Sequence, residues 1–582
     1  GLRATFEARG YTTWDPTSYA FIKGKTLCIP TAFCSYNGEA LDKKTPLLRS
    51  MDAIDKAGLR LLKALGRTDV KRITPMAGAE QEYFLIPEEM YNERMDLKFT
   101  GRTLFGAMPP KGQEMDDHYF GTIKSDVLSY MEEINEELWK LGVLAKTEHN
   151  EVAPSQHELA SIYRSVNVTT DQNQIVMETM KRVAKKHGLV CLLHEKPFLG
   201  VNGSGKHNNW SLATDKGENL IAPGKEPYKN IQFLAFIAGI VKAVDDYQDL
   251  LRISVATASN DHRLGANEAP PAIVSMFLGD ELLSVLDAIE NDREYVKDER
   301  KYVKLGVDEL PVIFKDNTDR NRTTPFAYTG NKFEFRMPGS SDSIATANVM
   351  INSAVAEGLE YIASCIEGKE DVKGAVYEIV KEIMKEHKHI IFNGNGYDEA
   401  WVVEASKRGL LNYRTTPECV PHLVDSKNVE MLVKHGVYTE KELYSHCDII
   451  IENYCKTAKI EAKTMVFMAD RQIVPAVEEY AADIAGNISV KREAVPGLKL
   501  KHETETVKKL SDAADLITDL SAELAEVLAS VKENTRENAL KIKDVMLPLM
   551  EKLRAECDKA ESLTAKEYWP FPGYEDILFG VK

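Results

Sequence analysis

Two glutamates alternate along the segment GAEQEYF, residues 78–84. If Glu80–Ile86 forms a strand, Glu80 and Glu82 point to the same face, because side chains alternate along a strand with a period of two. Two carboxylates on one face repel each other unless a cation lies between them or water screens them. The pattern indicates either a cation site or the exposed edge of an ordinary strand, and the edge is the commoner case for an isolated pair.

Two more acids stand seven residues apart in EHNEVAPSQHEL, residues 148–159. Glu151 and Glu158 flank a turn that contains proline, and their neighbours are small or apolar. A surface loop would explain the segment, but acids among such neighbours are less easily left in bulk water. A functional role and a surface loop both remain open on this pattern.

A glycine-rich stretch, FLGVNGSGKHNNWS, occupies residues 198–211. It formally contains GxxxxGK, but His207 stands where a phosphate-binding loop needs Ser or Thr to hold magnesium. We therefore reject that loop. The glycines still allow close approach of the backbone to a ligand, and His207 can act as a metal ligand, although a lone histidine is more often structural.

Charged residues recur in DHRLGANEAPP, residues 261–271, in DRNRTT, residues 319–324, and in KFEFR, residues 332–336. In the last segment Lys332, Glu334 and Arg336 share one face of a predicted strand, and two phenylalanines share the other. That division is typical of a strand that lines a site. It is equally typical of a half-buried strand with no function.

The elements that must position these residues follow from apolar spacing. Residues up to about 45 read as short strands and turns, and a helix is predicted from Thr45 to Gly66. Strand-like runs then alternate with amphipathic helices to about residue 340, and helices dominate from Ser343 to about 480. The last ninety residues predict an antiparallel helical hairpin for packing or assembly, with Leu510, Ile517 and Leu524 on its inner face.

Bulk composition limits the function classes. The 582 residues carry a formal charge of −17, from 73 basic and 90 acidic side chains, which argues against nucleic acid or a membrane as the main partner. Eight scattered cysteines predict reduced thiols and a cytoplasmic location. The longest apolar run, Ile231–Val241, is too short to span a bilayer. Because the chain opens at Gly1 without Met or a signal-like segment, we expect it to begin inside a domain.

Together, in their order along the chain and in their amino-acid sequences, these motifs resemble those of the glutamine synthetases. The wording is most similar to the type III class, in GEALDKKTPLLRS, EVAPSQHELA, NGSGKHNNWS and NEAPPAIVS. The resemblance implies an α+β fold: a partial β-grasp domain over 1–45, a catalytic domain with a curved antiparallel sheet over 46–490, and a C-terminal helical hairpin over 491–582. It also implies a homododecamer of two stacked hexameric rings, with active sites between subunits, and an N-terminal extension before Gly1.

The resemblance implies a ligase that joins ammonium to the side-chain carboxylate of L-glutamate through a γ-glutamyl phosphate, with ATP as co-substrate. It implies two Mg²⁺ or Mn²⁺ ions, the first on Glu82, Glu151 and Glu158 and the second on Glu80, His207 and Glu334. The other implied roles are glutamate binding by Asn202, Gly203, Arg263 and Arg336, nucleotide binding by Ser211, Arg322 and Lys332, charge stabilisation by Arg322, ammonium binding and deprotonation by Asp15, and closure of the site by Glu268.

Several positions depart from the commoner family wording. Pro16 replaces a glycine beside Asp15, Ala327 and Lys332 replace arginines, and Asn209 replaces a second histidine. The stretch from Arg263 to Glu268 is also one residue shorter. Nucleotide contacts are therefore the least transferable of the implied roles.

Two other functions fit part of the pattern. A γ-glutamyl ligase that uses another amine would share the metal and glutamate residues and differ around Asp15. A catalytically inactive homologue would usually have lost metal ligands, whereas all six are present here.

Overall fold

The computed structural model describes residues 10–267, 269–295, 302–303, 307, 313–314 and 323–581. Its strands are β1 Gly10–Trp14, β2 Phe21–Lys23, β3 Thr26–Cys28, β4 Thr31–Ser35, β5 Ile73–Pro87, β6 Ala145–Asn150, β7 Gln156–Ser161, β8 Arg164–Ser165, β9 Leu189–Leu192, β10 Lys206–Thr214, β11 Met276–Phe277, β12 Tyr302–Val303, β13 Ile313–Phe314, β14 Phe326–Tyr328 and β15 Phe333–Phe335.

The helices are α1 Lys44–Ala64, α2 Glu88–Glu93, α3 Met95–Thr100, α4 Ser125–Lys140, α5 Val166–Lys186, α6 Ile231–Asp246, α7 Gln248–Ile253, α8 Ala258–Asp261, α9 Gly279–Glu290, α10 Ala345–Ile366, α11 Val372–His387, α12 Glu399–Lys407, α13 Thr416–Cys419, α14 Ser426–Lys434, α15 Glu440–Met468, α16 Val474–Ala494, α17 Lys501–Ser530, α18 Arg536–Lys541, α19 Leu547–Leu563 and α20 Tyr574–Phe579. The fold is α+β, as predicted, and the helix predicted from Thr45 is present as α1.

A nine-stranded sheet forms the centre of the described structure, in the order β11-β14-β15-β10-β5-β7-β6, with β8 and β9 also paired to β5. The sheet is antiparallel, as predicted, except at one edge, where β11 pairs with β14 in parallel. The long connection between Phe277 and Phe326, which includes α9, provides the crossover that parallel pairing requires.

The largest hydrophobic core lies where α1, α6 and α10 pack together. The apolar residues that predicted α1 face this core, and Ile54, Leu61 and Leu62 are fully buried. Helices α6 and α10 cross closely at Gly239 and Gly358, since a Cβ on Gly358 would lie 2.1 Å from the Gly239 carbonyl oxygen. Any side chain there would push the two helices apart.

Helix α10 is long and apolar enough to cross a membrane by length and composition, but 72% of its apolar window is buried in the protein. Its packing against α1 and α6 identifies it as a core helix of this fold.

The two ends of the described chain differ in structure. Strands β1 to β4 form two small two-stranded sheets, β1–β4 and β2–β3, ahead of α1. Helices α17 and α19 form a hairpin, and Leu510, Ile517, Leu524 and Leu553 are buried in it, as the apolar repeat predicts. The helical region before it continues to Ala494, and α16 packs against α17. The domain boundaries at 45 and 490 stay predictions.

Candidate active site

Acidic and imidazole side chains form a row across five neighbouring strands of the central sheet. Strand pairing sets Glu82 opposite Glu158, and Glu158 opposite His149. It also sets His207 opposite Glu80, while Glu334 lies on β15 next to β10. The predicted period of two thus brings Glu80 and Glu82 to one face, and the sheet adds partners that are distant in sequence.

His207 lies among three of these acids. Its Nδ1 atom lies 2.8 Å from Glu334 Oε1 and 3.1 Å from Glu80 Oε2, and its Nε2 atom lies 3.8 Å from Glu82 Oε1. The other oxygen of Glu80 accepts a hydrogen bond from Asn209 at 2.9 Å. The residues predicted for the second ion, Glu80, His207 and Glu334, are therefore together.

His149 joins two acids in the same way. Its Nε2 atom lies 3.0 Å from Glu151 Oε1 and 3.1 Å from Glu158 Oε2. Glu82 stands opposite Glu158 in the pairing of β5 with β7, so all three acids predicted for the first ion share one neighbourhood. We call Glu80, Glu82, Glu151, Glu158 and Glu334, with His149 and His207, the carboxylate cluster.

Negative charge in the carboxylate cluster is only partly compensated. Burial raises the pKa of Glu82; the charge of His207 opposes this shift and Glu151 adds to it. Burial also raises the pKa of Glu158 to about 7, against the hydrogen bond from His149. The hydrogen bonds of His149 to Glu151 and Glu158 raise the pKa of His149 to about 10. Two buried acids that resist ionisation, beside imidazoles that favour it, indicate a cavity that attracts cations.

The donor set fits divalent cations. Two groups of ligand atoms, Glu80–Glu158–His207 and His149–Glu151–Glu158, each lie within 4.8 Å of one another. Carboxylate oxygens are the donors that Mg²⁺ and Mn²⁺ prefer, and a single imidazole is compatible with both.

The glycine-rich loop packs directly against this cluster. The backbone N–H of Gly205 donates to Glu82 Oε2 at 2.6 Å, and a Cβ on Gly205 would lie 2.0 Å from Nη2 of Arg263. Gly203 likewise meets the backbone of Glu195, since its Cβ would lie 2.3 Å from that carbonyl oxygen. These glycines allow the loop to approach Glu82 and Arg263 closely, as the sequence predicts.

Asn202, in the same loop, is held by a residue that the sequence did not indicate. Its backbone N–H donates to Gln113 Oε1 at 2.8 Å, and Gln113 Nε2 donates to Asn202 Oδ1 at 2.8 Å. Because the two residues lie on separate loops, neither spacing nor composition could have paired them.

The two arginines predicted to bind the substrate carboxylate are adjacent. Nη2 of Arg336 lies 2.9 Å from Glu334 Oε2. Arg263 Nη2 donates to the backbone carbonyl of Arg336 at 3.1 Å, and its Nη1 donates to those of Met337 and Pro338. Arg263 is buried, and burial lowers its pKa while the charge of Glu82 opposes that shift.

The residues predicted to contact the nucleotide lie toward one side of the cluster. Ser211 is on β10, four residues from His207, and its hydroxyl accepts a hydrogen bond from Tyr163. Lys332 directly precedes β15, which carries Glu334. Arg322 and Glu268 lie outside the described residues, so their predicted roles remain predictions.

Asp15 belongs to a second charged group, which we call the Asp15 cluster. Its carboxylate accepts hydrogen bonds from Lys44 Nζ at 2.8 Å, Asn167 Nδ2 at 2.8 Å and the Thr17 hydroxyl at 2.6 Å. Lys44 also contacts Asp171 at 2.7 Å, and Asp171 accepts from the Ser18 hydroxyl at 2.5 Å. Against the opposing effect of burial, the hydrogen bonds from Lys44, Thr17 and Asn167 lower the pKa of Asp15 to about 2.

His149 is the member of the carboxylate cluster that sequence reasoning missed. It stands two residues before Glu151, so alternation along β6 could have suggested it. Its contact with Glu158 depends on the pairing of β6 with β7, which the sequence does not specify.

Comparison with known proteins places these residues within one family. The family model for the glutamine synthetase type III N terminus matches residues 1–50, the catalytic-domain model matches 59–275, and the C-terminal-domain model matches 375–492.

Relatives with similar sequences extend over the whole chain. A glutamine synthetase from Butyrivibrio fibrisolvens is 45% identical over 588 residues, covering 99% of this chain and 82% of the relative. A type-3 glutamine synthetase from Dictyostelium discoideum is 44% identical and covers 100% and 80%. A glutamine synthetase from Bacteroides fragilis is 43% identical and covers 100% and 81%.

Proposed function

Because this chain belongs to the type III glutamine synthetase family, a family of glutamate–ammonia ligases, we propose that the carboxylate cluster is where it transfers phosphate from ATP to glutamate. The observation that carries the proposal is the convergence of five glutamates and two histidines from five strands and one loop, with two of the acids held at raised pKa. Such a cluster has little structural value unless cations bind it.

In this proposal one divalent ion is held by Glu82, Glu151 and Glu158, and a second by Glu80, His207 and Glu334. When bound there, Mg²⁺ or Mn²⁺ would neutralise charge on the phosphate oxygens of ATP and on the transferring phosphoryl group. His149 then has a further role, because in the cation-free protein it neutralises the same carboxylates.

The first chemical step phosphorylates the side-chain carboxylate of glutamate and gives γ-glutamyl phosphate. A free carboxylate is a poor electrophile because oxide is a poor leaving group, and phosphorylation replaces it with a good one. We assign the main-chain carboxylate of glutamate to Arg263 and Arg336, since guanidinium can donate two parallel hydrogen bonds to it. Asn202 and Gly203 complete the glutamate site. Ser211 and Lys332 contact ATP. Arg322 also contacts ATP, and it stabilises the charge on the phosphoryl group during transfer.

The second step replaces phosphate by ammonia. Asp15 binds ammonium and accepts its proton, acting at the site of a neighbouring subunit, and Glu268 closes over the intermediate to exclude water.

We propose that the assembly is a dodecamer of two stacked rings with active sites between subunits. Large apolar residues exposed around β1 to β4, beside Asp15, support an interface there: Tyr11, Trp14, Tyr19, Ile22, Leu27 and Ile29. Light scattering on the purified protein measures the oligomeric state, and a monomer or a simple dimer would contradict the shared site.

The eight cysteines, all in the described part of the chain, are free thiols, which supports a cytoplasmic location.

The test of the metal assignment is calorimetric titration with Mn²⁺. Glu82→Ala, Glu151→Ala and Glu158→Ala should each weaken binding strongly and abolish glutamine formation, because each removes one of few ligands. Glu148→Gln is the matched control: Glu148 is the half-buried neighbour of His149, but its carboxylate accepts a hydrogen bond from Asn135, outside the cluster. Near-normal binding and activity in any one of the three alanine variants would remove that residue from the assignment.

A coupled assay distinguishes the competing amine ligase. ATP-dependent product formation from glutamate is measured with ammonium, methylamine and a polyamine as alternative acceptors. Preference for ammonium is expected, and preference for another amine would reassign the acceptor while leaving the metal residues in place.

A further inference from the structure

The last described segment of the chain, residues 564–581, packs against the loops that carry the site. It lies beyond the residues matched by the family models, and it includes α20. A separate small hydrophobic core joins α20 to β5, to the loop between Glu151 and Glu158, and to the glycine-rich loop. Its members include Phe84, Ile86, Ala153, Phe198, Val201, Tyr574, Ile577 and Leu578.

Tyr574 makes the polar contacts of this core. Its side chain is fully buried, and its hydroxyl accepts a hydrogen bond from the backbone N–H of Leu199 at 3.0 Å. The same hydroxyl lies 2.7 Å from the Thr103 hydroxyl and accepts from Arg554 at 2.9 Å. Its ring meets that of Phe198 edge to face at 5.5 Å. One side chain therefore fixes the start of the glycine-rich loop, three residues before Asn202.

Residues 564–581 also fix the loop between Glu151 and Glu158, through the backbone of Leu578. The Ser155 hydroxyl donates to the carbonyl oxygen of Leu578 at 2.8 Å. Ser155 lies between Glu151 and Glu158, is buried and has a positive φ of 64°. Because few non-glycine residues hold that conformation without support, the bond to Leu578 is a specific constraint on this loop.

A third contact runs through the hairpin. On α19, Asp558 accepts from the backbone N–H of Gly106 at 2.7 Å and Glu561 accepts from that of Ala107 at 2.8 Å. Arg554 donates to the carbonyl oxygens of Thr103 and Gly106. This anchored loop continues to Gln113, which makes the paired hydrogen bonds to Asn202.

We propose that α20 and the end of α19 position two catalytic loops. Tyr574 is the positioning residue for the glycine-rich loop that carries Asn202, and the contact between Ser155 and Leu578 positions the loop between Glu151 and Glu158. The inference rests on the proposed roles of Asn202, Glu151 and Glu158. It gives the C-terminal region a function inside its own subunit. The end of α19 and α20 hold the glycine-rich loop, whose sequence leaves it free to take other conformations, and α20 holds the loop that carries Ser155 at positive φ.

Steady-state kinetics of Tyr574→Phe test the first part. The variant keeps the ring and removes the hydroxyl, so KM for glutamate should rise by about threefold to tenfold, the effect of losing one buried hydrogen bond. KM for ATP should stay unchanged, because Ser211 and Lys332 lie on or beside sheet strands. Tyr568→Phe is the matched control, since Tyr568 is on the same segment but packs against Tyr480.

Mn²⁺ titration of Ser155→Gly tests the second part. Glycine adopts positive φ freely, so the substitution removes the hydroxyl without adding strain. We expect Mn²⁺ affinity to fall by about threefold to tenfold. The Tyr574→Phe variant should bind Mn²⁺ as wild type does, because its contact is with the other loop.

The outcomes separate this inference from the proposed function. Tyr574→Phe and Ser155→Gly could lower the melting temperature but leave KM for glutamate and the Kd for Mn²⁺ at wild-type values. The segment would then stabilise the fold without positioning the loops, and the inference would be wrong. If Glu158→Ala binds Mn²⁺ normally, the metal assignment fails, whatever Tyr574→Phe shows. A shift in KM for glutamate that is matched by Tyr568→Phe would also overturn the role of Tyr574.

Discussion

Two groups of buried charge, the carboxylate cluster and the Asp15 cluster, use similar side chains in opposite ways. In the Asp15 cluster, Lys44 lies between Asp15 and Asp171, and amide and hydroxyl groups supply the remaining hydrogen bonds. The pKa of Asp15 is consequently lowered to about 2. In the carboxylate cluster, five acids share two histidines and Arg336. His207 lowers the pKa of Glu80 and of Glu334 against the effect of burial, but burial raises the pKa of Glu82 and raises that of Glu158 to about 7.

The difference separates charge that supports the fold from charge that awaits a ligand. Acids whose partners are already in the chain favour the folded state when ionised, whereas acids that repel one another oppose it. The carboxylate cluster therefore has the electrostatics of a cation site. The Asp15 cluster has those of a structural ion pair, although the family resemblance gives Asp15 a catalytic role.

Asp15→Asn gives the largest expected effect and tests this contrast directly. If Asp15 accepts the ammonium proton, γ-glutamyl phosphate still forms but amide formation slows by about 10²–10⁴-fold at neutral pH. The defect should shrink as the pH rises toward about 9, because free ammonia then becomes available without a base. Glutamine yield across a pH series, with hydroxylamine trapping of the acyl phosphate, measures both steps.

Lys44→Gln is the control for that experiment. It breaks the ion pair with Asp15 but leaves the carboxylate in place. If Asp15 serves only the ion pair, Asp15→Asn and Lys44→Gln will slow acyl phosphate formation and amide formation equally, at every pH. That result would show that the catalytic role assigned to Asp15 is wrong. Normal amide formation in Lys44→Gln, beside slow amide formation in Asp15→Asn, is the expected pattern.

Cation binding should stabilise the protein through the carboxylate cluster alone. At a Mg²⁺ concentration of about 100 times Kd, binding to the folded state adds about 2.7 kcal/mol to the free energy of unfolding. Wild type and Asp15→Asn should gain a similar increase in melting temperature on addition of Mg²⁺, and Glu158→Gln should gain much less. An equal gain in Glu158→Gln would show that the ion binds elsewhere.

Much of this contrast was accessible from the sequence, for identifiable reasons. Alternation along β5 and β15 predicted which faces carry Glu80, Glu82 and Glu334, because a strand fixes side-chain direction locally. Local patterns singled out Glu151, Glu158 and His207, but only the family resemblance assigned them to metal sites, because their contacts depend on strand pairing that the local pattern does not specify.

What the sequence could not supply depends on long-range packing. The partnership of Lys44 with Asp15 joins α1 to the loop after β1, and Tyr574 meets Leu199 across 375 residues. Such contacts follow from the assembled core, and no spacing rule in the sequence indicates them. The parallel pairing of β11 with β14 at one edge of the sheet is a long-range contact of the same kind, and no local pattern indicated it.

The smallest predicted effect concerns stability in the cation-free protein, where ionised Asp15 favours the folded state and ionised Glu158 opposes it. The folded-state pKa of Asp15, about 2, lies below its ordinary value of 3.8, so its contribution to stability is present above pH 3.8 and is lost as the pH falls through 2. The folded-state pKa of Glu158, about 7, lies above its ordinary value of 4.5, so the folded protein loses stability as the pH rises from 4.5 to 7.

The two substitutions should therefore act in opposite directions at pH 8 with EDTA present. Glu158→Gln removes a charge that the fold opposes and should raise the free energy of unfolding by about 1–3 kcal/mol, whereas Asp15→Asn removes a favourable charge and should lower it by about 1–3 kcal/mol. At pH 5 the Glu158→Gln effect should nearly vanish, because Glu158 is then protonated, while the Asp15→Asn effect should persist. Melting temperatures of both variants and of wild type between pH 5 and 8 measure this. A loss of stability in Glu158→Gln at pH 8 would mean that His149 already compensates the acids, so that cations displace an existing partner on binding.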